Sequence, residues 1–78
     1  MDKKELLKLF KEMFKSYDDV VEASDLQKML NISRASTYEL LKNKEIKAFK
    51  LAGGYKIPKV CVIEYIIDRT LEEERKKK

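Results

Sequence analysis

The sequence predicts a mostly α fold with a small β-hairpin, preceded by an additional N-terminal amphipathic helix. Three observations carry that expectation. Apolar residues recur at three- and four-residue spacing in several separate stretches of the 78-residue chain. Two of those stretches are short and separated only by Asn31-Ile32-Ser33. Between Lys47 and Ile57 the period changes from helical to alternating, on either side of Gly53-Gly54.

Length and composition bound the rest. A chain this short is expected to form a single domain over residues 1–78, with an accessory helix at 2–16, a core at 20–67 and a charged tail at 72–78. A domain of that size buries only about 60% of the surface its unfolded chain exposes. Cys61 is the one cysteine and histidine is absent, so an internal disulfide and a Cys/His metal site both lack ligands. Cys61 reads as a small buried hydrophobe. No apolar run approaches the roughly 20 residues of a membrane span. The start, Met-Asp-Lys-Lys-Glu, leads into an amphipathic pattern rather than a signal sequence, which points to a soluble, cytoplasmic protein. Net charge is +4, but the cations are concentrated: Leu26 to Ile63 carries +6 and the remainder −2. A localised positive surface favours polyanions, nucleic acid above all.

The first helix is expected from Asp2 to about Ser16. Leu6, Leu7, Phe10, Met13 and Phe14 form its apolar side, with Tyr17 following, and lysines cover the other. Such a face can dock on the protein's own core, pair with a second subunit or lie on a membrane. Docking is the default, and Glu5 and Glu12 interrupt the basic side a membrane would need. Val20-Val21 then leads into the next helix or makes one rung of a sheet. Ser24 and Gln27 have the spacing of a capping box for a short helix carrying Leu26, Met29 and Leu30, with Asn31 suited to close it in the left-handed conformation.

Ser33 is a good N-cap for the stretch that ends at Lys44. Thr37, Leu40, Leu41 and Lys44 repeat at helical spacing on its inner side, leaving Arg34, Ala35, Ser36, Tyr38 and Lys42 toward solvent. Two short helices joined by such a turn make a helix-turn-helix, whose second helix can enter the DNA major groove.

After Lys44 the pattern is a hairpin. A three-residue loop, Ala52-Gly53-Gly54 with Gly54 left-handed, pairs Leu51 with Tyr55 and Phe49 with Ile57, giving one apolar face. That register sets Lys50 opposite Lys56, a like-charge pair that an anionic partner would relieve. Pro58 suits the first turn of a last helix, lined by Val62, Ile63, Tyr65, Ile66, Ile67 and Leu71. Its end, Glu72-Glu73-Glu74-Arg75-Lys76-Lys77-Lys78, places acid before base, an order that supports helix.

From Val20 to about Ile67 the chain resembles the excisionase-like winged helix-turn-helix domains, relatives of the DNA-binding heads of MerR-type regulators. The carriers are Glu22-Ala23 before Leu30, the run Ile32 to Leu41, the step Glu45-Ile46-Lys47-Ala48, the segment Gly53 to Lys59, and the Val62 to Ile66 helix. The resemblance implies that the second helix of the motif enters the major groove while the wing contacts backbone or the adjacent minor groove. Carried over, this concerns Arg34, Ser36 and Tyr38 on the helix, and Lys50, Gly53, Gly54 and Lys56 on the wing. Two departures stand out. The family commonly has glycine where this chain has Lys44, so a different exit from the recognition helix is expected, and the N-terminal helix is extra.

The function expected is sequence-specific binding of double-stranded DNA without catalysis. Arg34 is the best base reader, since its planar fork matches guanine O6 and N7, while Ser36 can reach a base edge or a phosphate. Ser33 and Ala35 complete the reading end, and Tyr38, Lys42, Lys50, Lys56 and Lys59 fix register through phosphates. No cofactor, metal or catalytic residue is expected, because the sequence has no histidine and no acidic cluster beside a Gly-rich phosphate loop. The favoured role is an excisionase-type recombination directionality factor of a bacterial mobile element. Copies would self-associate on adjacent sites, bend DNA and steer an integrase or recombinase. A lone domain without an effector-binding segment fits that role. The alternatives are a small transcriptional regulator using the same surface, or a protein-interaction adaptor acting through the N-terminal helix.

Overall fold

The computed structural model describes residues 2–76. In chain order these form α1 (Lys3–Met13), β1 (Val20–Glu22), α2 (Ala23–Leu30), α3 (Arg34–Lys42), β2 (Phe49–Leu51), β3 (Gly54–Pro58) and α4 (Lys59–Lys76). The predicted fold class stands, with one addition. Val20-Val21 belongs to a strand, and the hairpin is part of a three-stranded antiparallel sheet of order β1-β3-β2. Of the predicted charged tail, Glu72 to Lys76 continue α4, while Lys77 and Lys78 lie outside the described residues.

Asp2 caps α1 by accepting from the Glu5 N–H at 2.9 Å. The helix ends at Met13, three residues before the expected Ser16. Beyond it the chain turns inward: the Phe14 ring stacks on Phe10 at 6.4 Å and meets Tyr17 edge-on at 6.0 Å. The Lys59 ammonium takes the Phe14 and Tyr17 carbonyls at 3.3 and 2.8 Å, satisfying acceptors that the helix end leaves open. α1 lies against α4, with Leu6 and Phe14 in the core and Leu7 and Phe10 packed on it. Met13, expected on the inner stripe, is 60% exposed, and its neighbour Leu9 is 53% exposed.

The cap of α2 differs from the predicted Ser24–Gln27 box. Glu22 is the N-cap, and its N–H donates to Asp25 Oδ2 at 3.1 Å. The reason is the sheet. Pairing of β1 with β3 continues through Glu22 opposite Lys56, so the helix starts directly at Ala23 and turns Ala23, Leu26 and Met29 into the core. Asn31 closes it at φ 54°, as expected, with Asn31 and Ile32 N–H groups returning to the Lys28 and Gln27 carbonyls at 3.2 Å each.

The second helix of the motif begins as predicted, with Ser33 Oγ accepting from the Ser36 N–H at 3.1 Å. Thr37 and Leu41 are buried and Leu40 is half-buried. The Thr37 hydroxyl, fully buried, donates to the Ser33 carbonyl at 2.9 Å, so this polar group enters the core already satisfied. Lys44 is not on the inner stripe: the helix stops at Lys42 and Lys44 is exposed. The exit keeps a left-handed geometry all the same. Lys44 stands at φ 59°, its N–H returns to the Leu41 carbonyl at 3.2 Å, and the Glu45 N–H returns to Leu40 at 3.0 Å. That double return is a Schellman closure, in which a lysine occupies the position that favours glycine.

The hairpin register also departs from expectation. Leu51 pairs with Gly54, Lys50 with Tyr55 and Phe49 with Lys56, leaving Ala52-Gly53 as a two-residue turn. Ala52 at φ 54° and Gly53 at φ 83° give two consecutive positive φ angles, which suit the right-handed twist of a tight hairpin. Lys50 is therefore not opposite Lys56, and the proposed like-charge pair does not exist. The expected register would gather apolar residues on one face. The chain instead leaves Phe49 and Leu51 exposed and gives the inner face to Ile57 and Val21, which are buried opposite each other across β3 and β1. Pro58 ends β3 opposite Val20 rather than starting α4, and the Lys59 N–H donates to Asp19 at 2.7 Å. Val62, Ile63 and Ile67 bury the inner face of α4, with Tyr65, Ile66, Leu71 and the free, half-buried Cys61 packed against the core.

Candidate nucleic-acid interface

The Ser33 cap fixes where α3 begins, and so which of its side chains stand at the open end. Arg34, Ala35 and Ser36 occupy the first turn and are exposed. Arg34 and Tyr38, four residues apart, share one helix face: the guanidinium carbon lies 5.7 Å from the Tyr38 ring centre. Ser36 Oγ accepts from the Ser33 hydroxyl at 3.0 Å, which ties both serines to the cap while leaving them at the surface.

The wing joins this face through aromatic rings. Tyr38 and Tyr55 approach with centroids 6.0 Å apart at 59°, and Lys50 Nζ stands 5.0 Å from the centre of the Tyr55 ring. Arg34, Tyr38, Tyr55 and Lys50 thus form a continuous line of cation, ring, ring and cation running from the first turn of α3 to β2. Lys50 and Tyr55 are direct cross-strand partners, so the tight Ala52-Gly53 turn is what brings them together. An open groove lies alongside, lined by Tyr38, Lys42, Lys50, Gly53, Gly54 and Tyr55. Gly53 is required by its positive φ, and a side-chain carbon at either glycine would meet nothing within 4 Å, so the wing tip is bare backbone open to an approaching ligand.

The sequence-predicted residues therefore fall into three groups. Arg34, Tyr38, Lys42, Lys50, Gly53 and Gly54 converge on the line and groove, with Ser33, Ala35 and Ser36 at its helical end. Lys56 is turned to the opposite side of the hairpin from Lys50, where its ammonium is held by Glu22 Oε2 at 2.7 Å. Lys59 is committed to the end of α1. Tyr55 was missed because the expected register faced it toward Leu51 on an apolar surface. The available signal was Lys50 and Tyr55 flanking a possible tight turn.

Chemically, the arrangement offers a guanidinium at a helix start, hydroxyls, two aromatic faces and ammonium groups around a groove, and this suits a polyanion with planar bases. Among the described residues no group of three or more Cys, Asp or Glu is placed to hold a metal ion, and no helix is long and apolar enough to cross a membrane. Residues 21–70, nearly two thirds of the chain, match the model of a family described as a helix-turn-helix domain. No curated protein and no solved structure matches the chain at a significant level.

Proposed function

The chain belongs to the helix-turn-helix domain family and is built to bind double-stranded DNA through that motif, and we propose that it reads sequence with the first turn of α3 while the wing holds the backbone. The observation that supports this reading is the Arg34–Tyr38–Tyr55–Lys50 line, which couples the start of α3 to the hairpin. Arg34 is the base reader, with its guanidinium held over Tyr38 and its fork directed to guanine O6 and N7. Ser36 reaches a base edge or a phosphate, and Ser33 and Ala35 let the helix approach closely. Tyr38, Lys42 and Lys50 bind phosphates, and the bare turn at Gly53-Gly54 lets the wing lie against the backbone. Lys56 is a phosphate contact only after leaving Glu22, and Lys59 has no part in the interface.

At the biological level the reading is an excisionase-type factor of a mobile element, whose copies bind neighbouring sites and act with a recombinase. It is supported by the order of motif, wing and closing helix together with the charge concentrated between them. A transcriptional regulator would use the same surface. Selection from random duplexes followed by footprinting separates the two: tandem sites beside an element's end support the excisionase role, and a single promoter palindrome supports the regulator. On the selected site, Arg34→Ala is expected to cost about 1–3 kcal/mol and relax one base pair. Equal losses on selected and random duplexes would remove Arg34 as the reader.

A further inference from the structure

An acidic residue sits where the surface otherwise invites phosphate. Glu22 pairs with Lys56 across β1 and β3, with its carboxylate 2.7 Å from the ammonium. The same residue is the N-cap of α2, the first helix of the motif, and Asp25 adds a second carboxylate in the first turn. A helix N-terminus ordinarily attracts anions through its free N–H groups and dipole. Here that end is faced with negative charge. Glu22 also borders an open groove with Ser24, Tyr38, Gly53 and Lys56, on the flank of the Tyr38–Tyr55 contact. Its side chain is 62% exposed and that of Lys56 28% exposed, so the pair stands at the surface with the carboxylate the more open partner.

We propose that Glu22 is a built-in competitor for DNA phosphate, occupying Lys56 so that the wing flank grips no duplex strongly by charge alone. The inference rests on the DNA-binding reading above. A phosphate arriving at this flank must detach Lys56 from Glu22 and then lie beside an unpaired carboxylate. That cost is the same for every sequence, since phosphates carry no base information. Binding to random DNA is thereby held down, and occupancy depends on the base contacts of α3.

The test is anisotropy of a labelled random-sequence duplex with the full chain across a series of salt concentrations. Glu22→Gln is expected to bind roughly three- to tenfold tighter at low salt, with the logarithmic salt dependence steeper by about 0.9, the increment of one added phosphate contact. Glu22→Thr, which removes the charge but keeps a good cap, should behave alike and guards against an effect of the cap. Glu72→Gln on α4 makes the same change in net charge and should leave the slope unaltered. In a Lys56→Gln background the gain from Glu22→Gln should vanish. No tightening, a gain that persists without Lys56, or a gain matched by Glu72→Gln would each overturn the competitor. If the unaltered protein shows no salt-dependent duplex binding at all, the DNA-binding reading falls and the competitor with it.

Discussion

Tyr38 of α3 and Tyr55 of β3 meet with ring centroids 6.0 Å apart, and each ring also has a cation near its centre, Arg34 at 5.7 Å and Lys50 at 5.0 Å. The pair is the lateral joint between α3 and the hairpin. Aromatic pairs of this kind contribute about 0.5–1.5 kcal/mol beyond the area they bury. A double-mutant cycle with Tyr38→Ala and Tyr55→Ala, read by urea denaturation, is expected to give a coupling energy in that range. Strict additivity would mean that the rings are neighbours without being a joint.

Lys50 and Lys59 separate two uses of a lysine. Lys50→Ala is expected to weaken binding to all duplexes and to reduce the logarithmic salt slope by about 0.9, because one phosphate contact is lost. Lys59→Met keeps the aliphatic stem but leaves the Phe14 and Tyr17 carbonyls without their donor. Its expected cost is about 1–2 kcal/mol of folding stability, with the DNA affinity of the folded protein unchanged. Thermal melts and anisotropy on the same two variants distinguish these outcomes, and a lowered salt slope in Lys59→Met would return that residue to the interface.

Lys44 occupies a left-handed position at φ 59° in the closure of α3. A side chain there is strained by its Cβ, and glycine is not. Lys44→Gly should therefore raise stability by about 0.5–1 kcal/mol with an unchanged denaturant m-value, after allowing for the greater freedom glycine gives the unfolded chain. A loss of stability would show that the lysine side chain contributes something the closure geometry does not explain.

α1 supplies both core and open surface. Leu6 is buried and Leu9 stands half open to solvent. Leu6→Ala should cost about 2–5 kcal/mol, whereas Leu9→Ala should remain within about 0.5 kcal/mol of the unaltered protein. Chemical denaturation of the two variants tests whether α1 is integral to the core. A small effect of Leu6→Ala would instead mark α1 as detachable, and would favour an adaptor role for its exposed Leu9 and Met13.

Features that depend on neighbours along the chain are legible in the residues alone. Ser33 caps α3 and Asn31 closes α2, because capping and left-handed closure are settled within a few residues of backbone. The helix periodicities likewise placed Leu26, Met29, Thr37 and Leu41 inward, and the first-turn side chains of α3 outward. Tertiary structure decided what depended on a partner distant in sequence. Val20 to Glu22 became a strand only because β3 offered it a free edge, and that pairing moved the cap of α2 from Ser24 to Glu22. The hairpin turn was a choice between registers one residue apart, and each such step turns a side chain to the other face. The turn closes at Ala52-Gly53 and sets Lys50 on Tyr55, while the separate pairing of β1 with β3 buries Val21 opposite Ile57 and brings Lys56 to Glu22. Lysines that look equivalent along the chain were divided by the same packing, one turned to the groove, one held by an acid and one closing the end of α1.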